Sequence, residues 1–234
     1  MKKPPWYYDE IRQIGTDYEN VEEVKSYDER MSKFRNFDEE SLRISEQLEL
    51  NSNHNLIEIG CGTGAFTISA AIICSSVTAV DVSPVMLEYA ENKAKASACG
   101  NIKFMHGGFL SYEHSGLLFD SAVSQLSLHH LPDFWKMIAL KRLSSILKPG
   151  AKFYLKDVVF TVDPEKYEKT ISFSVENMRQ KAGDVTARNF EKHISNEFST
   201  FDWIMEEMIY RAGFELLSAE YDDLFIAEYV CRKI

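Results

Sequence analysis

From Leu56 to Thr67 the chain reads Leu-Ile-Glu-Ile-Gly-Cys-Gly-Thr-Gly-Ala-Phe-Thr. This is an apolar run, then three glycines at alternate positions, then a stretch compatible with helix. Glycines this dense are costly unless the backbone must take positive φ or admit another molecule against it. The segment therefore predicts a β-strand that enters a tight turn and continues into a helix whose free N-terminal amides can face a ligand.

The chain beyond this unit keeps the same rhythm. Short β-rich runs at 56–59, 77–80, 102–105, 121–123 and 152–155 alternate with helical stretches up to Asp157, the pattern of βαβ units and a mostly parallel sheet. One helix starts at Ser83-Pro84, a capping residue followed by proline at the first helical position. Another carries Leu140, Leu143 and Leu147 on one face and is expected to stop at Lys148-Pro149-Gly150. Phe201, Met205 and Met208 predict a helix that Gly213 ends, followed by strands at 216–221 and 225–231 joined at Asp222-Asp223.

Two segments lack the alternation. Phe34, Phe37, Ile44 and Leu48 lie near one helical face, so residues 1–50 are expected to form an N-terminal helical cap or lid. Ile171, Val175 and Met178 do the same between Pro164 and Gly183, so residues 158–195 are expected to be a helical substrate-cap insertion within a domain spanning 51–234.

Charge narrows the partners. The net charge of -10 is carried by the flanks, -5 over residues 1–50 and -7 over 157–234, against +2 between them. No lysine or arginine cluster offers the basic face that a polyphosphate needs, so nucleic acid and anionic membrane are disfavoured. The four cysteines show neither CxxC nor Cys/His metal spacing, which suits reduced thiols and a cytoplasmic setting. Lys2 and Lys3 are followed by Pro-Pro-Trp-Tyr-Tyr-Asp rather than an apolar signal core, and the uncharged stretch 59–80 is interrupted by three glycines and six Ser/Thr.

Asp81 ends the second expected strand, where a carboxylate can accept two hydrogen bonds from a ribose diol. Glycine loop and acid together make a nucleoside pocket, although Gly60-x-Gly62-x-x-Ala65 with a later acid also satisfies the loose dinucleotide fingerprint. Glu58, two residues before the first glycine, stands where a dinucleotide strand is usually apolar. The order L-I-E-I-G-C-G-T-G, V-D-V-S-P-V-M-L, L-H-H-L-P-D, L-K-P-G-A, then a helix and two strands, resembles the class I S-adenosylmethionine-dependent methyltransferases of the small-molecule, ubiquinone/menaquinone-methyltransferase-like type. The resemblance runs from about Asn55 to Ile234.

The resemblance implies a Rossmann-like α/β fold with a seven-stranded sheet in order 3-2-1-4-5-7-6, strand seven antiparallel, and helical cap additions. It implies S-adenosylmethionine as cofactor, S-adenosylhomocysteine as product and a small-molecule acceptor. Gly60, Cys61, Gly62 and Gly64 would pass under the methionine part, and Glu58 would orient that loop or reach the amino group through water. Asp81 would bind both ribose hydroxyls, Val82 and Met86 would flank the adenine, and Tyr27 on a covering helix would close the site. In the stretch Met105-His106-Gly107-Gly108-Phe109 the family commonly has an aspartate at Gly108 that accepts from the adenine amino group. That aspartate is missing, which leaves backbone groups near Gly108 and Phe109, or a side chain from elsewhere, to hold the base.

Methyl transfer requires positioning, and a base only if the acceptor must lose a proton. Gln125, His129 and His130 are expected at the rim where open α/β sheets bind ligands, with either histidine a candidate base or acceptor contact and Asp133 a cap for the next helix. Trp6, Tyr7, Tyr8, Tyr18 and Tyr27 would build the lid or pack it onto the core. No spacing of histidine, cysteine or acids predicts a metal site, and Asp133 and Asp157 are the carboxylates that topology brings nearest the rim. Oligomeric state is not legible. Alternative functions at this stage are methylation of a macromolecule, S-adenosylmethionine binding without turnover, and a nicotinamide-dependent oxidoreductase built on the same loop.

Overall fold

A computed structural model describes residues 3–12, 21–32, 35–222 and 225–234. Tyr18 of the aromatic set, Phe34 of the first helical face and Asp223 of the expected hairpin turn lie outside them. Helices α1 (Val21–Met31) and α2 (Phe37–Gln47) precede β1 (Asn55–Ile59), α3 (Ala65–Ile73), β2 (Ser76–Asp81), α4 (Pro84–Ala96), β3 (Ile102–His106) and β4 (Phe119–Gln125). A single helical turn, Leu128–His130, leads to α5 (Asp133–Ser145) and β5 (Leu147–Phe160). Then come α6 (Tyr167–Ala182), α7 (Asp184–Asn196), β6 (Thr200–Phe201), α8 (Asp202–Arg211), β7 (Phe214–Asp222) and β8 (Ile226–Lys233).

The sheet runs β3-β2-β1-β4-β5-β8-β7, parallel from β3 to β5, with β8 antiparallel to both β5 and β7. This is the expected topology with one strand added, because β6 pairs with the end of β5 through Val159↔Thr200 and shifts the numbering of the last two strands. Both faces are covered, so neighbouring side chains of the central strands go to different cores. Phe153 packs with Leu140, Leu143, Ile209 and Phe214 on one face, and Tyr154 packs with Ile44, Leu48, Phe66 and Val77 on the other.

Three expected boundaries move. Helix α5 ends at Ser145, and Leu147 pairs with Phe119 at the start of β5. Its buried side chain fits a helical face or a strand equally well, and the irregular register between Phe119 and Ser121 absorbs the difference. The fifth strand continues through Val158, Val159 and Phe160, β-rich residues that pair with β8 and β6, so the insertion begins at residue 161. Phe201 lies in β6 and caps α8 instead of opening it. In the N-terminal cap, α1 and α2 are helical, whereas residues 3–12 form turns and extended chain. Among the described residues no helix is long and apolar enough to cross a membrane.

The segment that follows α7 is tied to α5 by a fully buried lysine. Lys136 of α5 donates to the Phe198 carbonyl and to Asp133 Oδ1 (2.8 Å), while Asp133 Oδ2 accepts from Thr200 Oγ1 (3.0 Å). Asp133 therefore does not cap α5, whose N-cap is Pro132 without a side-chain bond; its carboxylate instead joins Lys136 of α5 to Thr200 of β6. Removing the amine takes the donor from the half-buried Phe198 carbonyl and leaves a cavity along the buried lysine stem, so Lys136→Ala is expected to lower stability by about 2–4 kcal/mol in urea unfolding. A loss below half a kilocalorie would mean that the anchor contributes little.

Candidate active site

The glycine turn is held open by two requirements. Gly60 has φ 79°, and a Cβ there would lie 2.4 Å from Ser127 Oγ, so the loop after β4 can reach β1 only past a glycine. Gly62 has φ 52°, and a Cβ there would meet no atom within 4 Å, so its missing side chain leaves open space. Asp81, buried at the end of β2, accepts from the Gly62 amide (2.8 Å) through one oxygen and from the Ser83 amide (2.9 Å) through the other. Burial raises its pKa, and the two amide bonds oppose the rise. Ser83 then caps α4 through Met86 N (3.1 Å).

These parts border one cleft. Tyr27, Gly60, Gly62, Asp81, Val82, Met86, Gly108, Phe109, Gln125 and His130 line it. Glu58, Cys61, Gly64 and His129 do not. The Glu58 carboxyl is buried and takes the Thr67 hydroxyl of α3, which suits orienting the loop and leaves no path to a ligand. Burial raises its pKa to about 8 against the Thr67 bond. Cys61 is buried with Ala79 and Leu87 beneath the turn, and Gly64 lies against Ala90.

Several lining residues escaped the sequence reading. Leu126, with φ 51° in a region leucine rarely adopts, redirects the chain after β4 so that Gln125, Ser127 and Leu131 all reach the cleft. Gln125 Oε1 accepts from Arg35 Nη2 (2.7 Å), whose guanidinium is paired with Glu40. Glu10 and Arg12 arrive from the non-helical N-terminal strap. Such contacts link segments remote in sequence and leave no local motif.

The roof is fastened at named points. Beside Tyr27, Asp28 accepts from Thr63 Oγ1 of the glycine turn (2.5 Å) and from Lys93 of α4 (2.6 Å), so α1 is clamped across the loop. In the strap, Tyr7 and Tyr8 donate to the carbonyls of Leu110 and His130 (3.2 Å each), and their rings lie 4.8 and 6.2 Å from that of Trp135. Trp6 is exposed.

Below the far wall, His129 is buried between two acids, Nδ1 against Asp157 and Nε2 3.2 Å from Glu197. Glu197 also meets His193, and Asp157 accepts from the Val158 amide (2.8 Å). Burial opposes a charge on His129, but the two carboxylates outweigh it and raise its pKa to about 9. His130 goes the other way: burial, reinforced by the neighbouring cation, lowers it to about 4. Of the two candidate bases, then, His129 is an imidazolium outside the cleft, and His130 is a neutral imidazole that lines it. His129, His130 and Glu197 also offer ligand atoms within 4.8 Å of one another, a grouping invisible in the sequence because Glu197 follows α7.

Residues 56–150 match the family model described as a methyltransferase domain. An uncharacterized methyltransferase of Bacillus velezensis is 30% identical over 178 residues, 70% of this chain and 81% of the relative. The 27-O-demethylrifamycin SV methyltransferase of Amycolatopsis mediterranei is 29% identical over 128 residues, 54% of this chain and 46% of its own length. The fold resembles that of the N-methyltransferase NodS from Bradyrhizobium japonicum in complex with S-adenosyl-L-homocysteine, with a TM-score of 0.60, 18% identity, and coverage of 86% and 89% of the two chains.

The protonation of His129 can be checked through stability. Its folded pKa lies above the ordinary value of 6.5, so the stabilisation is complete below about pH 6.5 and is lost as pH rises through about 9. Glu58, also raised, adds a falling slope below about pH 8, so the difference between wild type and His129→Gln isolates the histidine. That difference, measured by denaturant unfolding, should be largest at pH 6 and shrink toward pH 9.5. A constant difference would remove the imidazolium assignment.

Proposed function

Because the chain belongs to the class I S-adenosylmethionine-dependent methyltransferase family, we propose that it methylates a small organic acceptor held in the cleft beside the cofactor and releases S-adenosylhomocysteine. The roof carries this reading. Helix α1, clamped by Asp28, and the strap, pinned through Tyr7 and Tyr8, cover the cleft that the glycine turn and Asp81 border. A macromolecular acceptor needs an open approach, and a nucleic acid would also meet a chain of net charge -10.

The residues fit the cofactor. The open space at Gly62 admits the methionine portion against the backbone, and each Asp81 oxygen, bonded to one amide, keeps acceptor capacity for a ribose hydroxyl. Val82 and Met86 flank the base. S-Adenosylmethionine supplies an electrophilic methyl on a sulfonium for in-line transfer to an acceptor lone pair. Gln125, fixed by Arg35, and His130, fixed in its neutral form, orient that acceptor. A neutral imidazole accepts a hydrogen bond from an acceptor N–H or O–H, but a group with pKa about 4 is a weak base, so positioning dominates. Four unpaired cysteines suit a reducing, cytoplasmic setting.

The acceptor is identified by profiling metabolites labelled from a methyl-labelled donor in cells with and without the protein. Label appearing only in macromolecules would overturn the small-molecule reading. Asp81→Ala is expected to weaken S-adenosylhomocysteine binding by about 1.5–3 kcal/mol in calorimetric titration, with Asp81→Asn retaining part. Gly62→Val should nearly abolish binding, since the side chain enters space that the ligand needs and carries a β-branch at positive φ. Normal binding by the folded valine variant would move the cofactor away from this turn. Because in-line methyl transfer can proceed by positioning alone, we also expect turnover to survive EDTA. Loss of activity restored by a divalent ion would instead assign His129, His130 and Glu197 as its ligands.

A further inference from the structure

Of the residues that line the cleft, two are carboxylates, Asp81 and Glu10. Asp81 stands at the end of β2, bound to the glycine turn and the start of α4. Glu10 comes from the strap, and both of its oxygens accept from the Leu110 amide (2.9 and 3.0 Å). The Leu110 carbonyl is taken by the same strap, through Lys3 Nζ (2.7 Å) and the Tyr7 hydroxyl. One residue, Leu110, thus holds the strap around Glu10 through both its amide and its carbonyl.

Gly108 marks where that carboxylate lies. A Cβ on Gly108 would fall 2.6 Å from Glu10 Oε2 and 2.8 Å from Val82 Cγ1, so Glu10 Oε2 and the Val82 side chain converge on the same small space. Any side chain at 108, an aspartate included, would collide with Glu10. A glycine at 108 and an acid delivered by the strap are therefore two halves of one arrangement. The cleft gains an acceptor oxygen at the edge of the apolar wall that Val82 contributes, where a flat heterocycle presents its rim.

We propose that Glu10 reads the exocyclic amine of the cofactor's adenine and so selects adenosyl over the corresponding 6-oxo nucleoside. The proposal rests on the placement of the cofactor given above. A carboxylate accepts from an amine, and it repels a carbonyl set at the same position. Glu10 also joins roof to ligand, because the segment that covers the cleft is the one that contacts the base.

The test compares S-adenosylhomocysteine with its deaminated analogue, S-inosylhomocysteine, by calorimetric titration of the full-length wild type, Glu10→Ala, Glu10→Gln and Asp81→Ala. Wild type should prefer the adenosyl ligand by about ten- to a hundredfold, the usual range for a charged hydrogen-bond partner. Glu10→Ala should weaken adenosyl binding by about that factor and change inosyl binding little, so the preference collapses. Glu10→Gln, which keeps the shape and can turn its amide donor toward a carbonyl, should narrow or reverse the preference even if the alanine variant folds poorly. Asp81→Ala should weaken both ligands alike and keep their ratio. An unchanged preference in both Glu10 variants, or none in wild type, overturns the proposal, whereas wild type that binds neither nucleoside overturns the cofactor placement itself.

Discussion

The site depends on one carboxylate that accepts two backbone amides. Asp81 fixes Gly62 with one oxygen and Ser83 with the other, so the turn after β1 and the start of α4 are set by a single side chain. Its burial makes the charged form costly, and the amides compensate. Because Ser83 in turn caps α4 and Gly60 lets Ser127 approach, three strand ends are brought into register around one cleft. Asp28 extends the same lattice to the roof by holding Thr63 and Lys93.

What was legible in the sequence was local. Gly60, Gly62, Asp81, Val82 and Met86 lie within two strand–turn–helix units, where spacing alone places them side by side, and they meet at the cleft. The parallel sheet was legible for the same reason, since each βαβ unit declares itself in about thirty residues. Boundaries failed where one residue satisfies two periods. Leu147 completes a helical stripe by position and begins β5 by hydrogen bonding, and only the partner strand decides. Glu58 was readable as an unusual acid, but the burial that ties it to Thr67 was not.

The remaining residues of the site come from contacts between distant segments. Arg35 reaches Gln125 across ninety positions, and Glu197 reaches His129 from the end of an inserted helix. Glu10 lies in a strap with no periodicity, held by aromatic and carbonyl contacts that a pattern search does not register. Leu126 shows the same limit from the backbone side, because its positive φ is imposed by the ladder to Lys156 and the approach of Ser127 to Gly60. Added helices and straps are written in tertiary contacts, so acceptor selection is less legible than the cofactor loop.

The paired histidines show why the far wall is built as it is. His129 and His130 are neighbours in one helical turn with ring centroids 4.3 Å apart, yet one is charged and the other neutral. Asp157 and Glu197 both choose His129, and burial, reinforced by the resulting cation, keeps a proton off His130. A sulfonium cofactor bound as proposed would bring positive charge into the cleft, where an imidazolium on the wall would oppose it. Confining the cation to His129, between two carboxylates and outside the lining, leaves His130 neutral on the wall, with Asp81, Glu10 and Arg12 as the charged residues of the lining. The cluster thus secures α7 to the sheet without adding a positive charge of its own to the lining of the cleft.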